Sequence, residues 1–162
     1  MANTWSVHDA IGSYQNMDET STTQKHALGT IVKAESATYG MCEFVYLKGV
    51  ASTVVGSPVI YDSTLTTALI SAGARGNVGV AMSANVASQY GWYCIYGLAP
   101  IYCGANSITS GSALFYQASG TVDDAVSATN KIDGCVSKSV HGTPAANYCV
   151  ATLSRPSMNG NG

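Results

Sequence analysis

The sequence is short of charge. Only 10 % of its 162 residues are Asp, Glu, Lys or Arg, against about 25 % in typical soluble domains. Seven basic and nine acidic residues leave a formal net charge of −2. That balance excludes a nucleic-acid binder working by phosphate neutralisation, which needs clustered Lys and Arg. Long apolar runs are also missing: every apolar stretch is broken by Gly, Ser, Thr or Asn well short of the ~18 residues of a membrane helix, so no membrane partner is expected. Residues 1–10, MANTWSVHDA, lack both a basic and an apolar region, and a secretory signal is not expected there. Cys42, Cys94, Cys103, Cys135 and Cys149 show no C-x-x-C spacing. Most sit in apolar, strand-like surroundings and read as buried thiols of a reducing compartment. His8, His26 and His141 lie in polar stretches and supply no paired ligands, so neither a metal nor a cofactor is expected.

What the chain does have is 46 % hydrophobic residues, which excludes disorder over its whole length. A chain of this size buries roughly two-thirds of its unfolded surface and needs no staple to fold. Strand signals recur at short intervals between Gly, Ser, Asn and Pro, at 30–34, 42–50, 58–62, 67–71, 77–84, 91–96, 113–118, 135–140 and 148–153. In Glu43-Phe44-Val45-Tyr46-Leu47-Lys48 both faces carry apolar groups, the mark of a strand covered on both sides. β-Branched and aromatic enrichment without heptads favours strand throughout, with at most a short helix around 123–128.

An internal repeat underlies this pattern. A shift of 55 residues places Gly56-Ser57 on Gly111-Ser112, Tyr61 on Tyr116, Thr66 on Thr121, Gly79 on Gly134, Tyr93-Cys94 on Tyr148-Cys149 and Leu98 on Leu153. The expected fold is therefore all-β: a compact β-barrel or β-sandwich built from two similar β-meander repeats, 56–98 and 111–153, within a β domain spanning 30–153. Residues 1–29 are polar and aperiodic and read as an extended N-terminal arm, with 154–162 as a C-terminal tail.

Catalytic signatures are absent. There is no G-x-S-x-G elbow, phosphate-binding G-x-x-x-x-G-K-[ST] loop or H-E-x-x-H helix. The glycine-rich stretch Gly73-Ala74-Arg75-Gly76-Asn77-Val78-Gly79 leads into a strand, so it offers no helix N-terminus to an anion, and Arg75 there reads as a surface contact. Asp123 and Asp124 are adjacent and diverge, which suits a helix start or a turn better than acid–base work. No enzymatic activity is expected.

The aromatic concentration is the most informative local feature. In Tyr90-Gly91-Trp92-Tyr93-Cys94-Ile95-Tyr96, strict alternation puts Tyr90, Trp92, Cys94 and Tyr96 on one face. Ten Tyr against two Phe favour apolar surfaces that also need a hydrogen bond, the profile of interfaces. Trp5, Ile11, Tyr90, Trp92, Tyr96 and Arg75 are the interface candidates.

Residues 79–93, GVAMSANVASQYGWY, with 43–50, EFVYLKGV, and the following strand GSPVIYD, resemble the capsid decoration, or cement, proteins of tailed bacteriophages. The resemblance covers roughly 34–97 and, loosely, the second repeat. It implies an all-β structural virion protein, often a homotrimer, seated outside an icosahedral capsid assembled in the host cytoplasm. There it would bridge and stabilise neighbouring major capsid protein subunits, with the 1–29 arm lying across an adjacent subunit. Deleting that arm would then leave a folded domain that binds the shell less well. The alternative is a receptor- or glycan-binding virion module, such as a fibre or tail-tip domain, using Tyr90, Trp92 and Tyr96 as a stacking platform.

Overall fold

The computed structural model describes residues 4–9 and 15–160 of the chain. Eleven strands follow one another: β1 (Ser6–Val7), β2 (Ile31–Ser36), β3 (Gly40–Lys48), β4 (Pro58–Tyr61), β5 (Thr67–Leu69), β6 (Arg75–Ala81), β7 (Tyr90–Tyr102), β8 (Ala113–Gln117), β9 (Thr121–Asp123), β10 (Lys131–Ser137) and β11 (Tyr148–Asn159). All join one sheet in the order β1-β2-β3-β7-β6-β11-β10-β8-β9, with β4 and β5 branching from β6 and β7 also pairing directly with β11. Every ladder is antiparallel. The chain is all-β, as its residue pattern leads one to expect.

Two apolar clusters hold the sheet. The larger takes one face, with Val32, Ala34, Cys42, Phe44, Tyr46, Trp92, Cys94, Ile101, Cys135, Cys149 and Leu153 among its members. The smaller takes the opposite face of the central strands and holds Val45, Leu47, Val59, Ala81, Tyr93 and Ile95. The second cluster is enclosed because the strands curl. The turn after β4 returns to β3, where Lys48 N donates to the Leu65 carbonyl at 3.1 Å and Lys48 bridges Thr66. Strands apolar on both faces, legible in 43–48, follow from this arrangement.

The pairing in the two halves is alike at its start. Under the 55-residue shift the Tyr61↔Thr67 pair of the β4–β5 hairpin falls on the Tyr116↔Val122 pair of the β8–β9 hairpin. In each half the hairpin's first strand also pairs with the next one, β6 or β10, which pairs in turn with β7 or β11. The registers then part, since β10 shifts against both of its neighbours.

Three places bear on the expectations. First, 123–128 forms no helix, which the expectation of at most a short one there allows. β9 pairs back on β8 through Phe115↔Asp123, and Asp123 Oδ1 then accepts from Asp124 N at 2.8 Å, closing a turn. Second, 154–159 is strand rather than tail. β11 continues through it and pairs with β6 as Ser157↔Asn77 and Asn159↔Arg75, with Met158 buried between them. The polar residues Ser154, Arg155 and Asn159 hide that strand from a reading of composition.

Third, the described part of 1–29 does not extend away from the domain. Val7 pairs with Ala34, and Trp5 and Met17 are buried in the larger core. Gln15 is the reason the segment turns back. Its carbonyl accepts from Trp92 Nε1 at 2.7 Å, its Oε1 accepts from the Tyr46 hydroxyl at 2.8 Å, and its Nε2 donates to the Tyr90 carbonyl at 2.9 Å. Removing the segment would therefore uncover Trp92 and Tyr46 and open the core.

Candidate interaction surface

The five interface candidates among the described residues separate in the fold. Trp5 packs in the core, stacked on Tyr39 at 6.1 Å and edge-on to Phe44 at 4.9 Å. Trp92 is wholly buried, with His26 and Tyr46 against its ring. Tyr90 is half-buried, stacks on Tyr46 at 6.4 Å and bonds through its backbone to Ser21. Arg75 is exposed at the far end of β6, beside Asn159. Ile11 lies outside the described residues. Only Tyr96 offers a broad exposed ring. The three rings expected to share a platform thus do not: Trp92 serves the interior, Tyr90 is largely covered and Tyr96 stands apart.

A β-bulge separates Tyr96 from Trp92. Phe44 pairs with Cys94 but Glu43 pairs with Tyr96, so β7 spends one more residue than β3 at that step. An extra residue reverses the alternation beyond it. Before the bulge Trp92 and Cys94 face the larger core; after it Ala99, Ile101 and Cys103 do. Tyr96 is turned to the outside. Gly97 completes the step at φ +99°, where an added Cβ would meet Cys42 Sγ at 2.7 Å.

The outward turn of Tyr96 completes a surface that no single segment displays. Alternation sends Val32 and Ala34 into the core and Ile31, Lys33 and Glu35 outward on β2. On β3 it sends Met41 and Glu43 outward. Glu35 sits opposite Met41, Glu43 opposite Tyr96, Tyr96 opposite Ser154, and Thr152 opposite Val136. Ile31, Met41, Tyr96 and Val136 are each 41–49 % exposed, on a continuous face of β2-β3-β7-β11-β10. Neutral polar residues and a few charges of both signs separate them. Arg155 reaches across this face to pair with the Glu43 carboxylate. Its backbone is held at φ +46°, a region that costs a non-glycine residue free energy.

Two small clefts flank Tyr61 at the border of this face. One, of about 170 Å3, is lined by Tyr61, Asn77, Val78, Ile95, Arg155 and Pro156. The other, of about 100 Å3, lies between Ile60, Asp62, Thr66, Ala68 and Arg75. Burial pushes the Tyr61 phenol up, and the Arg155 guanidinium partly offsets the rise. Both clefts fall short of the roughly 300–1,000 Å3 of small-molecule sites. Among the described residues no group of three or more His, Cys, Asp or Glu is placed to hold a metal ion.

Asp124 holds a turn and the cysteines pack in the core. Asp124 accepts from Thr109 N at 2.8 Å, and that bond holds its carboxyl below the usual value. The five thiols are all buried and unpaired, and all lie in the larger core. Burial raises Cys94, Cys103 and Cys135, and pushes Cys149 up to about 12.

Sequence reasoning missed Ile31, Met41, Val136 and Arg155. Alternation in 31–36 and 40–48 was available to place the first two, but their exposure depends on nothing else covering the sheet. Arg155 fell in the segment read as a tail. Comparison with protein-family models, curated proteins and solved structures gives no match for this chain.

Proposed function

We propose that the chain is a structural virion protein that binds the outside of an assembled icosahedral capsid and bridges neighbouring major capsid protein subunits. The single observation that supports this reading best is the β2-β3-β7-β11-β10 face, where four large apolar side chains stand exposed among neutral and mixed-sign neighbours. Exposed apolar groups spread over one ordered sheet face suit a broad contact of about 800 Å2 per partner. A net charge of −2 suits many copies lying side by side as homotrimers, where a strongly charged surface would add repulsion at each contact. Binding the mature lattice better than its loose subunits would stabilise the shell by mass action. No chemistry is assigned to the chain. The receptor- or glycan-binding alternative loses its platform, because Trp92 is buried and Tyr90 largely covered.

The test is co-sedimentation of the purified chain with undecorated particles, comparing wild type with the double variant Met41→Asp, Tyr96→Asp. Both side chains are exposed, so the variant should keep its fold, checked by circular dichroism. The proposal expects a loss of occupancy of tenfold or more, since each buried like-for-unlike replacement costs on the order of 1–3 kcal/mol at an interface. Unchanged occupancy by a folded variant would remove the face from the interaction.

A further inference from the structure

Arg75 is exposed at the start of β6 and takes part in none of the ion pairs among the described residues. Opposite it, at the last pair of the β6–β11 ladder, stands Asn159, and Gly160 follows just beyond the strand. Asn159 is exposed. Its Nδ2 donates to Asp133 Oδ2 at 2.9 Å, while Lys131 Nζ holds the other oxygen of that carboxylate at 3.1 Å.

Asparagine followed by glycine is the dipeptide in which a side-chain amide is lost most readily. Glycine places no side chain over its own backbone nitrogen, and its free backbone lets that nitrogen reach the preceding carboxamide. Gly160 lies past the ladder, at φ +73°. A Cβ on it would meet Arg75 Nε at 2.9 Å and the Gly73 carbonyl oxygen at 3.0 Å. The missing side chain therefore also lets the guanidinium come up against this peptide unit. A cation there favours loss of the amide proton and stabilises the oxyanion formed when the nitrogen attacks.

We propose that Asn159 is a site of spontaneous deamidation in the folded protein, promoted by Arg75. The Gly160 nitrogen gives up its proton to solvent and bonds to Asn159 Cγ. The Cγ–Nδ2 bond breaks, and Nδ2 takes a proton from solvent and leaves as ammonia. Water then opens the resulting succinimide at either carbonyl, to aspartate or isoaspartate. One water is consumed and one ammonia released, with no change of oxidation state. The product adds one negative charge to a net of −2. Where the Asn159 amide donates to Asp133, a carboxylate then faces a carboxylate. Repulsion turns the new group away from β10 and toward the Arg75 guanidinium opposite it on β6. The site stands whether or not the chain binds a capsid.

The experiment incubates the full chain in mildly alkaline, low-salt buffer beside Arg75→Gln and Arg75→Lys, with circular dichroism confirming each fold. Fragment mass spectrometry assigns the amide-to-acid mass gain to Asn159 or to Asn161, which opens the second Asn-Gly pair of the sequence. A growing acidic species modified at Asn159 is expected. It should form about fivefold more slowly in Arg75→Gln, the effect of one unit charge at about 4 Å in water, and near the wild-type rate in Arg75→Lys. No reaction at Asn159 in the native protein, over the time in which the denatured chain converts there, would overturn the site. Equal rates in wild type and folded Arg75→Gln would overturn it as well. Should that variant not fold, high salt screens the same charge in the wild type, and a rate at Asn159 that does not fall would count equally against the proposal.

Discussion

At the scale of the residue, Gln15 and His26 decide how the N-terminal segment sits. Gln15 is buried and bonds through its backbone and its side chain, to Trp92, Tyr46, Tyr90 and the Glu19 carbonyl. Its own N–H donates to His26 Nε2 at 3.2 Å, so that nitrogen accepts and the ring is neutral with its proton on Nδ1. The ring lies 5.1 Å from Tyr46 and 5.2 Å from Trp92, and burial lowers its pKa from 6.5. As pH falls, the unfolded chain therefore takes up the proton first. The stabilisation is complete above 6.5 and is lost progressively as pH falls from there toward the folded value. Urea midpoints measured between about pH 8 and about pH 5 should decline on the acid side in wild type, and less steeply in His26→Asn. An identical slope in the two proteins would remove His26 from the pH dependence.

At the scale of the element, strands were legible and their phase was not. Alternation and β-branched content marked all nine expected strands, because those signals are local. The bulge opposite Glu43–Phe44 carries no sequence flag of its own, yet it moves Tyr96 from the core side to the surface. The same limit hid the course of 154–159, whose few apolar groups make sense only once β6 lies beside them. Within the candidate surface, Tyr96 could be named from its aromatic context, whereas Arg155 and Val136 required the strand order. Gly91 gives a prediction at this scale. It pairs with Leu47 and leaves the space that Asn85 occupies. Gly91→Ala would force that plug out or push the β3–β7 ladder apart, and is expected to cost about 1–3 kcal/mol or more by overpacking. Urea unfolding followed by tryptophan fluorescence measures it. Wild-type stability in Gly91→Ala would mean that Asn85 has room to move.

At the scale of the whole molecule, scarce charge and abundant apolar groups have separate destinations. Two clusters on opposite faces of one curled sheet absorb most of the apolar residues. They also absorb the cysteines. All five thiols are buried, and where burial raises the pKa the reactive thiolate is scarce. Cys42 is the exception, its pKa lowered by the hydrogen bond with Cys94, but it is buried like the rest, so a thiol-reactive reagent should label none of the five in the native protein on the timescale that labels all five after denaturation. Rapid labelling of a native thiol would show that the larger core opens readily.

Outside the cores, Val126 and Val140 stand exposed singly, while Ile31, Met41, Tyr96 and Val136 share one sheet face. Electron cryo-microscopy of decorated particles shows whether this face meets the shell, as proposed. Density of neighbouring subunits is expected to cover Met41 and Tyr96 and to exclude solvent from the β2-β3-β7-β11-β10 face. A reconstruction in which that face points into solvent, with the chain attached through another surface, would contradict it.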